Sequence, residues 1–248
     1  VQLQDALYSQ GFGTRRVCAG LVQQGHVQLL EKGNTGGPVL CTDSTYDVEP
    51  EGLRFIVQGV EWAWHRHAYL MMNKPAAVEC SQKPSTYPSV YTLLPAPLRA
   101  RPTAGKILGV QTIGRLDQDT TGLLLLSDDG SFIHKVSSPK KHIEKTYRVY
   151  AKYDLTPQQK DRLLQGVVLN DDPKPVVATD CVVQEGPVFD LTVTEGKYHQ
   201  VKRMVAAVGN RVEQLHRIRI GGLHLPEDLV SGGWRWLDER EIAMVFQG

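Results

Sequence analysis

Gly114-Arg115-Leu116-Asp117-Gln118-Asp119-Thr120-Thr121-Gly122, followed by Leu123-Leu124-Leu125-Leu126, decides how the rest of the chain is read. The leucine run is too short for a helix and is bounded by Gly122 and by the turn signal Asp128-Asp129-Gly130. That pattern predicts a strand buried on both faces. Asp117 then belongs to a loop just outside a sheet, where rigid strands fix groups that stay reachable. On spacing alone, Asp117 and Asp119 also suit turn formers, because aspartate bonds its own backbone near turns.

Outward from this stretch, Tyr69 to Met72 reads as an apolar strand and continues into MMNKPAAVECS. The loop from Pro84 to Gly109 is rich in Pro and small residues and reads as a lid or irregular surface. A strand runs on from Tyr147, then a helix with Thr156 as N-cap, Pro157 in its first position and Gly166 as its stop. Val176 to Val183 and Val188 to Thr194 alternate apolar with polar residues, as antiparallel strands with one covered face do. Gln200 to Val208 reads as a helix ended by Gly209.

Toward the N-terminus, Leu3, Ala6 and Leu7 mark a short amphipathic helix ending near Gly11. A second helix has Thr14 as N-cap, Val17, Leu21 and Val22 on one face, and Gly25 as its stop. Arg15 and Arg16 fall in its first turn, where a cation opposes the helix dipole and suits an anionic ligand or plain solvent exposure. His26 to Leu30 and Leu53 to Val57 read as strands separated by a polar stretch, with a boundary expected near Gly59 to His67. Strand runs with few interspersed helices give an α+β chain rather than a doubly wound one.

The 248 residues allow one large domain, or a small one plus a medium one. No stretch approaches the roughly 20 apolar residues of a membrane span. No secretory signal is evident, so a cytoplasmic protein is expected. Cys18, Cys41, Cys80 and Cys181 form no CxxC pair; buried small hydrophobes are the expectation, with no metal centre. The net charge of +1 is low for a chain that grips phosphates, but its distribution is uneven. Lys135, Lys140, Lys141, Lys145 and Arg148 face one acid, Glu144; Lys197, Lys202, Arg203, Arg211, Arg217 and Arg219 face only Glu213. Two such clusters suggest a cationic groove around one site.

GRLDQDTTGLLLLSDDG resembles the catalytic motif of the pseudouridine synthases, specifically the RsuA branch of bacterial ribosomal-RNA enzymes. HIEKTYRV (His142 to Val149) and EGKYHQVKRMVAAVG (Glu195 to Gly209), followed by LHRIRIGGLHL, match further family motifs in the same order. The likeness spans most of residues 65 to 248 and runs to the small-subunit 16S rRNA enzymes of that branch. It implies a catalytic domain over 66–248 on a largely antiparallel mixed sheet flanked by helices. The helix, glycine turn, Arg15-Arg16 pair and following VQL strand resemble an S4 RNA-binding domain, expected over 1–60. That segment is slightly acidic, with Arg15, Arg16, Lys32 and Arg54 against Asp5, Glu31, Asp43, Asp47, Glu49 and Glu51.

The implied reaction breaks the N1–C1′ bond of a uridine, rotates the uracil, and joins C5 to C1′ with loss of the C5 proton. It needs no cofactor. One carboxylate suffices, as nucleophile or as base at the sugar, and the resemblance assigns this to Asp117. In a closed pocket the carboxylate needs a cation to stay ionised: Lys202 by the family motif, or its neighbour Arg203. Tyr147 is implied to pack on the uracil and to help remove the C5 proton. Arg115 is expected at the RNA backbone or in the gap left by the flipped nucleotide, or else paired with Asp119. His199 and Gln200 are expected to orient the loop or touch RNA, and Lys145, Arg203, Arg15 and Arg16 to bind it. The partner is ribosomal RNA, free or in a partly assembled small-subunit particle, met by a monomer.

Three rivals remain. One is a same-branch enzyme acting on 23S rRNA; another is a noncatalytic RNA-binding ribosome-assembly protein. The third is a metal-dependent nuclease built on Asp117, Asp119, Asp128 and Asp129. The leucine strand weakens that last reading, since extended it separates the two pairs by roughly 30 Å at about 3.3 Å per residue.

Overall fold

A computed structural model describes residues 1–30, 37–103 and 105–247. Contacts divide the chain into two compact units. The first joins Val1–Ala68 with Leu94–Gln111 and Ser127–Asp129; the second holds Tyr69–Leu93, Thr112–Leu126 and Gly130–Gly248.

In the first unit, helix Leu3–Ser9 buries Leu3, Ala6 and Leu7. Helix Arg15–Gln23 starts where the Thr14 side chain accepts a bond from Val17 N (3.3 Å). Its buried residues are Cys18 and Val22, while Val17 is 50% exposed. Of the expected face, Val22 is buried and Leu21 packs against the core, while Val17 is exposed and Cys18 takes its place. Cys18 and Val22, four apart, stack on one side of the helix, and Val17 lies about 100° away. Strand Val27–Leu30 pairs antiparallel with Val39–Leu40 and with Arg54–Val57. Arg54–Val57 in turn pairs with Val60–Ala63, a strand the sequence reading did not contain. Glu31 and Lys32, counted in that reading's charge balance, lie outside the described residues. The short helix Ala96–Arg99 and the two-residue strands Pro102–Thr103 and Lys106–Ile107 give the Pro84–Gly109 segment regular structure that the loop reading missed. Arg101 anchors it. Its Nε lies 2.6 Å from Asp128 Oδ2, Nη1 donates to Gln10 Oε1 (2.8 Å), and Nη2 to the His65 carbonyl (2.8 Å). Asp128 Oδ1 accepts from Ala68 N (2.7 Å), so the buried pair leaves neither charge uncompensated.

The second unit carries a sheet of nine strands among the described residues. Along its main path the order is Asp180–Val183, Val188–Val193, Lys145–Ala151, Val212–Ile220, Thr121–Ser127, Tyr69–Lys74, Trp234–Trp236. Thr121–Ser127, the strand with the leucine run, is thus interior. Leu123 to Leu126 are all 0% exposed, as the run predicted. Leu123 and Leu125 pack with Phe132 and Val136 from helix Gly130–Ser137 and with Met71 and Ile220. Most pairings are antiparallel, but His216 and Arg217 pair in parallel with Thr121 and Gly122. Beyond the sheet, helix Pro157–Gln165 begins with a capping box between Thr156 and Gln159. The expected strand Val176–Val183 is broken in two. Val176 ends a strand paired with Val167–Leu169, and Asp180 starts another paired with Val188–Val193. Of the cysteines, Cys18 and Cys181 are buried, and Cys41 and Cys80 are only half-buried. Among the described residues no helix is long and apolar enough to cross a membrane.

Candidate active site

The Asp117 loop is held from beneath by a lysine. Lys74 ends the Tyr69–Lys74 strand with its side chain fully buried, and its Nζ donates to the carbonyls of Pro75 (2.9 Å), Asp117 (3.0 Å) and Thr120 (2.9 Å). Burial pushes the ammonium pKa below that of free lysine. The carbonyl cage makes good the hydration that burial removes. Gly122 brings the leucine strand against its neighbour. Its φ is +103°, and a Cβ there would sit 2.3 Å from the Arg217 carbonyl oxygen. Only glycine tolerates both conditions.

Helix Gln200–Ala207 delivers the counter-ion. Lys202 Nζ lies 3.1 Å from Asp117 Oδ2 and 2.7 Å from Asp119 Oδ1. Burial opposes the lysine charge, but the hydrogen bonds to Asp119 and Asp117 outweigh it and hold the pKa above that of free lysine. Partial burial pushes the Asp119 carboxyl upward, and the Lys202 ammonium overcomes this and leaves it below the usual carboxylate range. Asp119 thus shares the cation of Asp117, and the alternative pairing with Arg115 is not the one observed. Adjacent helical residues point about 100° apart. Arg203 accordingly turns away, to Asp171 and the Tyr198 carbonyl. His199 Nε2 lies 3.3 Å from Asp117 Oδ1. Gln200 is buried, and its Oε1 accepts from Lys197 N (2.9 Å), which fixes the turn into the helix.

A cavity of about 680 Å³ opens beside the carboxylate, lined among others by Arg115, Asp117, Lys145, Tyr147, Lys202 and Arg217. Its volume suits a nucleotide-sized guest. Tyr147 comes from strand Lys145–Ala151 and is half-buried. Arg217, 3% exposed, donates from Nε to the Leu123 carbonyl (2.7 Å) and from Nη1 to Tyr147 Oη (3.4 Å). Its buried Nη2 has no partner among the described residues. A guest acceptor would relieve that cost. Burial, reinforced by Arg217, pushes Lys145 down to about 8.

One cavity therefore gathers Asp117, Tyr147, Lys202, Arg115, Lys145, His199 and Gln200. Arg203 does not line it. Arg15 and Arg16 belong to the first unit, where Arg15 pairs with Asp5 (2.7 Å) and lies over the Tyr8 ring. The basic clusters are also less free than their count suggested: Arg148 pairs with Asp190, Arg219 with Glu144, and Arg211 with Glu213. Lys135, Lys140 and Lys141 are exposed. Sequence reading missed the roles of Lys74 and Arg217. A lysine closing an apolar strand, and an arginine two residues from buried Leu215 on the same strand face, were the available signals. Among the described residues no group of three His, Cys, Asp or Glu could hold a metal ion.

Residues 68–207 match the family model described as RNA pseudouridylate synthase. The chain is 37% identical over 243 residues to the ribosomal small subunit pseudouridine synthase A of Haemophilus influenzae, covering 97% of this chain and 98% of that one. It is 36% identical to the Vibrio vulnificus protein of the same name over 237 residues, 94% of each chain. A crystal structure of a pseudouridylate synthase superposes with a TM-score of 0.65 at 32% identity, covering 99% of both chains. With its fold, its motif order and matches of this extent, the chain belongs to the RNA pseudouridylate synthase family.

Proposed function

We propose that this protein isomerises a specific uridine of small-subunit (16S) ribosomal RNA to pseudouridine, with Asp117 as the catalytic carboxylate. The observation that carries the reading is the Asp117–Lys202 pair at a cavity shared with Tyr147 and Arg217. The small-subunit target is supported by the names of relatives similar over nearly the whole chain. A uridine leaves its stack and enters the cavity, since its glycosidic bond is out of reach within a helix. Lys202 holds the Asp117 carboxylate by a 3.1 Å ion pair, and Asp117 acts at the sugar as nucleophile or base. The Tyr147 ring holds the freed uracil by its face, which permits rotation while restraining escape. Arg217 Nη2 supplies a donor to a uracil carbonyl or ribose oxygen. Once the N1–C1′ bond has broken and the uracil has turned, C5 bonds to C1′, displacing the Asp117 carboxylate where that has attacked the sugar. The C5 proton then passes to solvent with Tyr147 beside it, and N1 takes one up. Arg115, Lys145 and His199 contact the RNA around the cavity, Gln200 shapes its turn, and Arg15, Arg16 and Arg203 are proposed contacts farther along the RNA. The protein acts as a monomer of two domains, an S4-like one over 1–60 and a catalytic one over 66–248.

Incubating 16S and 23S rRNA separately with wild type and Asp117→Asn in EDTA tests this directly. Carbodiimide-dependent primer-extension stops then map pseudouridine. One new stop in 16S rRNA with wild type, and none with the variant, is the expected result. A stop only in 23S rRNA moves the target, and modification by Asp117→Asn removes Asp117 from the chemistry. No stop in either RNA favours a noncatalytic binder.

A further inference from the structure

Tyr198 is 72% exposed, the largest value among the large hydrophobic residues described. An exposed ring is ordinarily left loose on its chain, yet this one is held. It stacks on the His199 imidazole, with ring centroids 3.7 Å apart and planes 21° from parallel. His199 itself adopts φ +48°, uncommon for a residue other than glycine, and its Nε2 lies 3.3 Å from Asp117. The Tyr198 carbonyl accepts from Arg203 Nη1 (3.2 Å), and Gln200 N donates to the Lys197 carbonyl (3.1 Å). The turn over 197–200 is thus fixed by backbone and side-chain bonds alike. Backbone strain of this kind persists where surrounding contacts over-determine it, and it collects at functional sites.

The position is as informative as the rigidity. Lys197 and His199 both line the cavity, whereas Tyr198 between them does not. Its ring is backed on one face by the imidazole that touches Asp117, with most of its surface in solvent. A ring that lies outside the cavity lining but between two residues that belong to it suits the nucleotide adjoining the one in the cavity rather than that one. Extruding a nucleotide strips its neighbours of a stacking partner. An aromatic face restores such stacking and accepts any base, since every base has a π face.

We propose that Tyr198, backed by His199, is the platform on which the base adjoining the target uridine stacks while the uridine occupies the cavity. This rests on the RNA substrate proposed above. The platform makes Tyr198 a binding and substrate-positioning residue, distinct from the groups that act on the glycosidic bond.

The test uses the full chain and 16S rRNA under single-turnover conditions, with wild type, Tyr198→Phe, Tyr198→Leu and Tyr198→Ala. Each is checked for an unchanged unfolding transition. Tyr198→Ala is expected to raise the concentration for half-maximal rate about tenfold while leaving the saturated rate within about twofold. Tyr198→Phe should restore wild-type behaviour and Tyr198→Leu should not, because stacking needs the ring rather than the apolar bulk. A half-maximal concentration unchanged by Tyr198→Ala overturns the inference, as does rescue by Leu equal to that by Phe. So does a fall confined to the saturated rate. In all three cases wild-type modification stands, so the proposed function survives. Absence of pseudouridine with wild type overturns that function, and this inference with it.

Discussion

Two aspartates flank the leucine strand, and they have opposite fates. Asp117 precedes it, half-exposed, beside a cavity, with Lys202 and His199 as neighbours. Asp128 follows it, 5% exposed in its side chain, closed over by Arg101 and by the Ala68 amide. In sequence both are acidic residues at the mouth of an apolar run, and either suits a turn. Completion separates them. The Asp128 cluster satisfies its charges within the chain, which stabilises structure and leaves no valence for a guest. The Asp117 cluster is left open on the cavity side, with a buried Arg217 donor that has no partner among the described residues. Groups left incomplete at a cavity mark chemistry better than groups that are merely charged.

The largest expected effect is a double dissociation between these aspartates. Asp117→Asn should abolish pseudouridine formation while shifting unfolding free energy by no more than about 1 kcal/mol, the scale of partly exposed ion pairs. Asp128→Ala should do the reverse, costing about 3–5 kcal/mol by stranding the buried Arg101 charge, with the rate of the folded fraction retained. Urea unfolding and single-turnover assays on the same preparations check both; equal destabilisation by the two changes would erase the distinction.

Next in size is a contrast between neighbours. Lys202→Met should slow the saturated rate on the order of a hundredfold, since a carboxylate released from its ion pair is misplaced for attack at the sugar. Arg203→Met, one residue on but facing Asp171, should alter RNA affinity while leaving the saturated rate in place. Similar losses of saturated rate from both would show that the helix position rather than the ion pair matters.

The smallest effect is a pH dependence at Lys145. Its pKa is pushed down to about 8, so the cavity holds its ammonium below that value and loses it above. RNA affinity should therefore weaken severalfold between pH 7 and 9. Lys145→Arg, which stays charged throughout, should flatten the profile. An unchanged slope in the variant, read by filter binding, would remove Lys145 from the RNA contacts.

How far the sequence could be read follows the range of the interactions involved. The leucine strand, the Thr156 capping box and the Asp117 loop depend on residues close in the chain, and their patterns survive as local signals. On the Arg15–Gln23 helix, Leu21 and Val22 pack as read, but Cys18 rather than Val17 completes the face, because both are apolar and the packing partner alone chooses between them. The Pro84–Gly109 segment looked irregular because its anchor, Arg101, is matched to Asp128, Gln10 and the His65 carbonyl, all distant in sequence. Likewise, the family motif put Lys202 ahead of Arg203 as the partner of Asp117, but only the packed helix shows Lys202 meeting Asp117 and Arg203 meeting Asp171.

By itself, the sequence determined the order of the motifs along the chain, the loop that presents Asp117, and the residue types needed for glycosidic chemistry, because hydrophobic period and turn chemistry act over a few residues. Only the tertiary structure decided which cation meets Asp117, that Asp119 shares it, that Lys74 holds the loop, and that Arg217 keeps a donor in reserve. Those are contacts across 43 to 94 residues of chain. Their energies depend on burial and angle, which no local pattern encodes.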